Sequence, residues 1–456
     1  MSLTLMRSAL LAVAFAVACP PAVSAQSGWP MFRGPNAAGV GADPAPPIAW
    51  DVTANEQVRW KTAIPGTGHS SPVVWGDRVF VTTAVSDDPA DTFDTAAARG
   101  ASVAGAAPRQ SWRVYCLDRA TGRILWQRVA HEGVPRIGRH AKGSHANSTA
   151  ATDGEHVVAY FGSEGVYAYS MDGEPLWSKD LGLIDVGYVG QAEYQWGVAT
   201  SPLLHDGKVI IQADTQQDSF IAAFDVRTGH EIWRHERDEL PSWSTPVIAP
   251  AAGGPVLITN GSRFMRGLDP STGRELWAVE DDTQVKVPTP VVGDNIVVMS
   301  GGAPRGRQFY GLRPGAGAMT ADERVVWTVE KGGPYTPTPI IIGDTLHVLS
   351  DNGVLSRYHV ADGQLIDQMR VAAGGGAFSA SPVAVNDVLY LASEDGDVYA
   401  VRTGDAVTVL ETNSMGEQVM ATPAIAGGML VIRGARHVFG IARAGAEPAA
   451  DPGLTS

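Results

Sequence analysis

The amino-acid sequence predicts an all-β protein: an eight-bladed β-propeller of four-stranded repeats, its ring closed by an N-terminal strand. Three observations predict it. A Ser-Pro or Thr-Pro pair opens a short apolar run at Ser71, Ser201, Thr245, Thr289, Thr338, Ser381 and Thr422, and Ser148-Thr149-Ala150 offers an eighth start with Ala in place of Pro. From Ser201 onward these anchors lie 41 to 49 residues apart, the length of four short strands with their turns. The chain also carries 52 Gly and 30 Pro in 456 residues, as many tight turns require.

Along the chain, residues 1–25 read as a secretory signal. Arg7 is the only charge, Ala9 to Ala18 is unbroken apolar sequence, and Val23-Ser24-Ala25 places small residues before a cleavage after Ala25. Val17-Ala18-Cys19 offers the alternative of a lipid-modified Cys19. The apolar run is too short for a transmembrane span, and no later segment is long enough. The expected location is therefore periplasmic or secreted. Residues 26–49 form an N-terminal extension, 50–441 the propeller and 442–456 a flexible tail. Net charge is −14, or −15 once Arg7 is removed, which argues against nucleic acid or an anionic membrane as partner. Cys116 alone remains after cleavage, so no internal disulfide is expected and strand packing must supply stability.

One unit shows the logic. Pro202 to His205 is a strand, Asp206-Gly207 a turn and Val209 to Gln212 a second strand; Phe220 to Phe224 is a third, and Glu231 to Trp233 opens the fourth after Thr228-Gly229. Equivalent ends are Thr121-Gly122 to Trp126, Asp172-Gly173 to Trp177 and Thr272-Gly273 to Trp277. Trp327 closes a unit without Thr-Gly, and Asp362-Gly363 is followed by Ile366 where Trp is expected. These Trp residues read as packing residues. The last unit, Thr422 to Ile441, is too short for four strands, while Gln57 to Ile64 resembles a fourth strand lacking its first three. Joining the two closes the ring and removes the exposed edges.

Function is expected where the loops before each Ser/Thr-Pro ring one mouth of the channel. Those loops hold His69, His145, Asn147, Trp196, Trp243, Lys286, Tyr335 and Phe378, with Gln418 and Met420. Such aromatics with a few polar groups suit a peptide or planar ligand, or else plug the channel. Two insertions fall on the same side. Residues 86–111 read as a mobile loop or lid. Residues 127–147 carry His131, Arg136, Arg139, His140, Lys142 and His145, a basic island read either as an anion site or as a solvated loop. No metal site, nucleophile elbow or phosphate loop is discernible, so no catalytic residue is assigned.

The stretch Ala223-Phe-Asp225-Val-Arg-Thr228-Gly229-His-Glu-Ile-Trp233, repeated less completely from Asp118 to Trp126 and from Asp269 to Trp277, resembles the PQQ-like (pyrroloquinoline quinone) repeat. The resemblance spans about residues 50 to 441, and Trp29 to Asn36 is similar to the opening of exported members. It implies one of two functions. The BamB-like branch comprises non-catalytic scaffolds of outer-membrane protein assembly; here it implies a monomer binding envelope proteins or peptides, with no cofactor. The quinoprotein branch implies an alcohol or sugar dehydrogenase using PQQ with Ca²⁺, though this chain has no vicinal Cys-Cys pair on which that branch typically stacks the quinone. A carbohydrate- or polymer-binding module is a third reading.

Overall fold

The computed structural model describes residues 28–445, apart from 43, 98–100, 102–106, 189–190, 192–193, 282, 303–306 and 444. The expected signal at 1–25 with Cys19, and the tail from 446, lie outside them. The described residues form eight four-stranded antiparallel sheets. In chain order the blades span 73–133, 151–179, 203–236, 247–280, 291–329, 340–370 and 383–414; the eighth joins 424–442 to Val58–Ala63. Neighbouring blades meet first-strand to first-strand around the axis. No described helix is long and apolar enough to cross a membrane.

Burial follows strand position. In blade 3, Lys208–Ala213 and Phe220–Asp225 are buried almost throughout, because adjoining blades cover both faces. The outer strand Glu231–Glu236 faces solvent except at Trp233. Asp206 and Gly207 both take positive φ, 47° and 68°, the two-residue turn that matches strand twist.

The Asp-x-x-Thr-Gly motif and the Trp that follows it act on different seams. Asp225 Oδ1 accepts the Thr228 N–H and hydroxyl at 2.8 Å each, shaping a turn in which Gly229 has φ 70°. Trp177 of the preceding blade lies on that glycine, where a Cβ would sit 2.7 Å from the ring, and its indole donates to Val226 O at 2.7 Å. Trp126, Trp233, Trp277 and Trp327 likewise donate to Met171 O, Pro270 O, Pro314 O and Val360 O of the blade that follows each. The motif is a clasp between consecutive blades.

Closure follows the expected scheme. Val58–Ala63 pairs antiparallel with His437–Ala442, and Trp60 donates to Arg119 O at 2.7 Å across the seam to blade 1. Blade 6 differs from the sequence reading. The residue facing the clasp is Asp367, opposite Arg357, and Ile366 is one position off, half exposed. Arg357 pairs with Asp367 at 2.5 Å and donates to Thr403 O, Gly404 O and Asp405 O of blade 7. A guanidinium thus makes the contact that an indole makes elsewhere.

The N-terminal extension has a role that the sequence did not reveal: it closes one end of the channel. Trp29 exchanges backbone hydrogen bonds with Val74 of blade 1, and Pro30 O accepts from Thr152 N of blade 2. Arg33 then reaches across to Thr338 O, Pro339 O and Pro382 O in blades 6 and 7, and Gly41 N meets Ala384 O. The sharp reversal needs Gly34 at φ 72°, since a Cβ there would lie 2.5 Å from the Trp29 ring. Trp29 and Arg33 are both wholly buried.

Candidate functional site

The residues that open each unit form a belt around the channel. Ser71 N donates to Thr149 Oγ1, Thr149 N to Ser201 Oγ and Ser201 N to Thr245 Oγ1, at 2.9 to 3.0 Å. Thr289 N, Thr338 N and Ser381 N donate in the same way to Thr338, Ser381 and Thr422. At six of the eight starts the hydroxyl therefore binds the preceding blade. The Pro that usually follows leaves no unpaired N–H on a strand edge facing the channel.

Above this belt is a cavity of about 400 Å³ with Phe32 of the plug among its lining residues. The structure brings nine mouth residues together in its wall: His69, His140, Lys142, Asn147, Trp196, Trp243, Tyr335, Phe378 and Met420. Trp196 and Trp243 lie 5.4 Å apart, inclined at 35°, and Trp243 is fixed by its bond to Gly197 O. His140 meets Trp196 edge-on at 5.9 Å. His69 Nε2 donates to Lys142 O at 2.8 Å, and Phe93 stands edge-on to its ring at 4.6 Å.

Four mouth residues from the sequence reading lie elsewhere. Lys286 is wholly buried against Asp281, so Val285 and Val287 line the wall in its place. His145 packs beside Trp112, Arg136 pairs with Asp180 at 2.9 Å, and Gln418 bonds to Thr95. Nor is the basic island a free loop: 127–133 belongs to the strand Ile124–Gly133. Arg139 is paired with Asp91 at 2.6 Å and Lys142 with Glu394 at 2.9 Å. The described part of the 86–111 insertion is tied down through Asp91, Phe93 and Thr95.

The side chains that line the wall carry little net charge. Burial pushes His69 down to about 4, helped by the nearby Arg433 and Arg139 charges; it does the same to His145, beside Arg139. His140 is lowered by burial and by Lys142 and Arg139. These imidazoles are thus uncharged at neutral pH. Sequence reasoning missed Phe32, Ser379, Asp351 and Glu394 in the wall. Phe32 stands inside the conspicuous Trp29-to-Asn36 stretch, whereas the other three carry no local signal.

A quinone bearing three carboxylates with a divalent cation would find no ready-made set of cation ligands in this wall. Lys142 is the one Lys or Arg among the described lining, and it is committed to Glu394. No group of three His, Cys, Asp or Glu converges among the described residues. Cys116 is buried in blade 1, its thiol pushed up to about 12 by burial.

Comparison with known proteins supplies a family and a fold. A family model described as outer membrane protein assembly factor BamB matches residues 110–369. No curated protein matches the sequence. BamB from Moraxella catarrhalis is similar in structure, with a TM-score of 0.52 and 14% identity, over 78% of this chain and 98% of that one. A europium-containing methanol dehydrogenase is also similar, with a TM-score of 0.61 and 12% identity, over 90% of each chain. At such identities the likeness shows a shared propeller alone.

Proposed function

This chain belongs to the BamB-like family of PQQ-repeat propellers, and from that premise we propose that it is a non-catalytic scaffold of the cell envelope. It binds a segment of a protein or peptide partner in the mouth of its channel. The observation that carries this reading is a blind, aromatic cavity whose charged wall groups already have partners. An aromatic-lined pocket without a reactive group suits apolar side chains and main-chain amides. Its place of action is the periplasm or the outside of the cell, reached through the signal at 1–25.

The opposing reading is a quinone-dependent oxidoreductase acting on an alcohol or sugar, favoured by the likeness to methanol dehydrogenase. Adding PQQ with Ca²⁺ or a lanthanide to purified protein separates the two. The scaffold reading predicts no stoichiometric quinone binding and no dye-linked oxidation; tight loading with turnover would refute it. Trp196→Ala and Trp243→Ala should each weaken partner binding about thirtyfold, the effect of losing a central aromatic anchor, with the fold intact. Unchanged affinity would move the site away from the mouth.

A further inference from the structure

We infer that the bottom of the cavity is a carboxylate site, and that it takes the free C-terminus of a polypeptide entering end-on. The inference rests on the peptide-binding reading above and names the part of the partner that is recognised.

Three features converge on it. First, the belt hydroxyls are donors in waiting. The oxygens of Thr149, Ser201, Thr245, Thr338, Ser381 and Thr422 accept backbone N–H groups, and no described residue accepts their hydrogens. All six residues are at least nine-tenths buried, and all line the cavity. A ring of O–H donors facing one axis suits a group that only accepts.

Second, two buried cations flank the belt without a carboxylate partner among the described residues. Arg33 donates solely to carbonyls: Ala37 O, Ala38 O, Thr338 O, Pro339 O and Pro382 O. Thr338 carries both a belt hydroxyl and the carbonyl that Arg33 holds at 3.1 Å. Arg433 donates to Ser70 Oγ at 2.7 Å and to Thr82 O, one residue from Ser71 of the belt. Burial lowers both guanidiniums to about 9, the signature of charge held away from water without compensation. The acidic wall groups do not answer them, since Glu394 is paired with Lys142 and Asp351 with Arg307. A buried cation that lacks an opposite charge is costly, and an anion at the belt would supply one.

Third, the cavity is a dead end. The plug from Trp29 to Gly41 closes the far side, so a chain cannot thread through and must present a terminus. The two buried guanidiniums behind the belt and the hydroxyl donors select the carboxyl end over the ammonium end. Trp196 and Trp243, on the mouth side of the belt, then lie beside the last side chains. Main-chain carboxylate capture by convergent donors is an established mode of peptide recognition.

The test uses the full mature protein and two probes, N-acetyl-Leu-Phe as free acid and as C-terminal amide, by titration calorimetry. The acid should bind about tenfold more tightly, the worth of hydrogen bonds to a charged acceptor. Arg33→Met should abolish that preference, and Thr245→Val should reduce it should the first variant fail to fold. Trp196→Ala should weaken acid and amide alike. Equal affinity for acid and amide overturns the carboxylate site and leaves the scaffold reading standing. If neither peptide binds, the inference falls; if PQQ alone binds, the scaffold reading falls with it.

Discussion

Replacing Trp60 with Ala probes the seam at which the ring closes. Trp60 is only 6% exposed, and its ring fills the space above Gly122 of blade 1 and Gly440 of its own blade. Its indole N–H donates across the seam to Arg119 O at 2.7 Å. Truncating a buried Trp costs about 3–5 kcal/mol, and leaving the carbonyl without its donor adds about 1 kcal/mol. The expected loss is therefore about 4–6 kcal/mol. Trp233→Ala is the matched control at an internal seam, with the same burial and an equivalent bond to Pro270 O at 3.1 Å. Both variants should lose similar stability in urea, followed by circular dichroism at constant slope. In an open array, residue 60 would sit on an unattached end, and its loss would cost under about 1 kcal/mol. That outcome, with Trp233→Ala still severe, refutes closure. Two mild variants would refute the clasp itself.

Arg357→Ala should cost about 2–3 kcal/mol by stripping Asp367 and three blade-7 carbonyls of their donor. Arg357→Ala combined with Asp367→Trp should recover most of it, because the new indole would reach Thr403 O as Trp327 reaches Val360 O; urea midpoints of the two variants decide this. Gly229→Ala should lose about 2 kcal/mol or more, since it demands positive φ and meets the Trp177 ring, and thermal unfolding reads it. Stability should be flat from pH 8 to 7 and fall between about 6.5 and 4. His69, His145 and His347 take protons near 6.5 when unfolded but resist to about 4 when folded, chiefly through burial. The unfolded state binds more protons across that window, so acidification favours unfolding. A curve flat to pH 4.5 would show these imidazoles to be accessible.

The blade count, the strand order within blades and the closing strand were legible because each depends on local sequence: turn glycines, short apolar runs and a fixed spacing. The motif from Asp225 to Trp233 was read as one turn with its packing residue. Its halves in fact serve two seams, since Trp233 reaches forward to blade 4 while Gly229 receives Trp177 from blade 2. Ile366 is a different case: in the other units the Trp stands four positions after the turn Gly, and four positions after Gly363 is Asp367, so the spacing itself already marks Asp367 rather than Ile366. At the mouth, proximity to the Ser/Thr-Pro anchor placed Trp196, Trp243, Tyr335 and Phe378 in the cavity. It failed for Lys286, whose side chain turns into the core to meet Asp281.

By itself the sequence determined a closed ring of repeats, because periodicity and turn chemistry are written within a few residues of each other. Only the tertiary structure decided three further things: that the first residue of each unit joins a hydroxyl belt, that the Trp29-to-Gly41 stretch stops the channel, and that the basic island is spent on Asp91, Asp180 and Glu394. Each depends on partners tens or hundreds of residues apart. Arg33 meets Thr338 across 305 positions and Lys142 meets Glu394 across 252, separations at which sequence pattern carries no signal. The charge left over once those pairs form, that of Arg33 and Arg433 beneath a ring of hydroxyls, becomes visible only when the ring is closed.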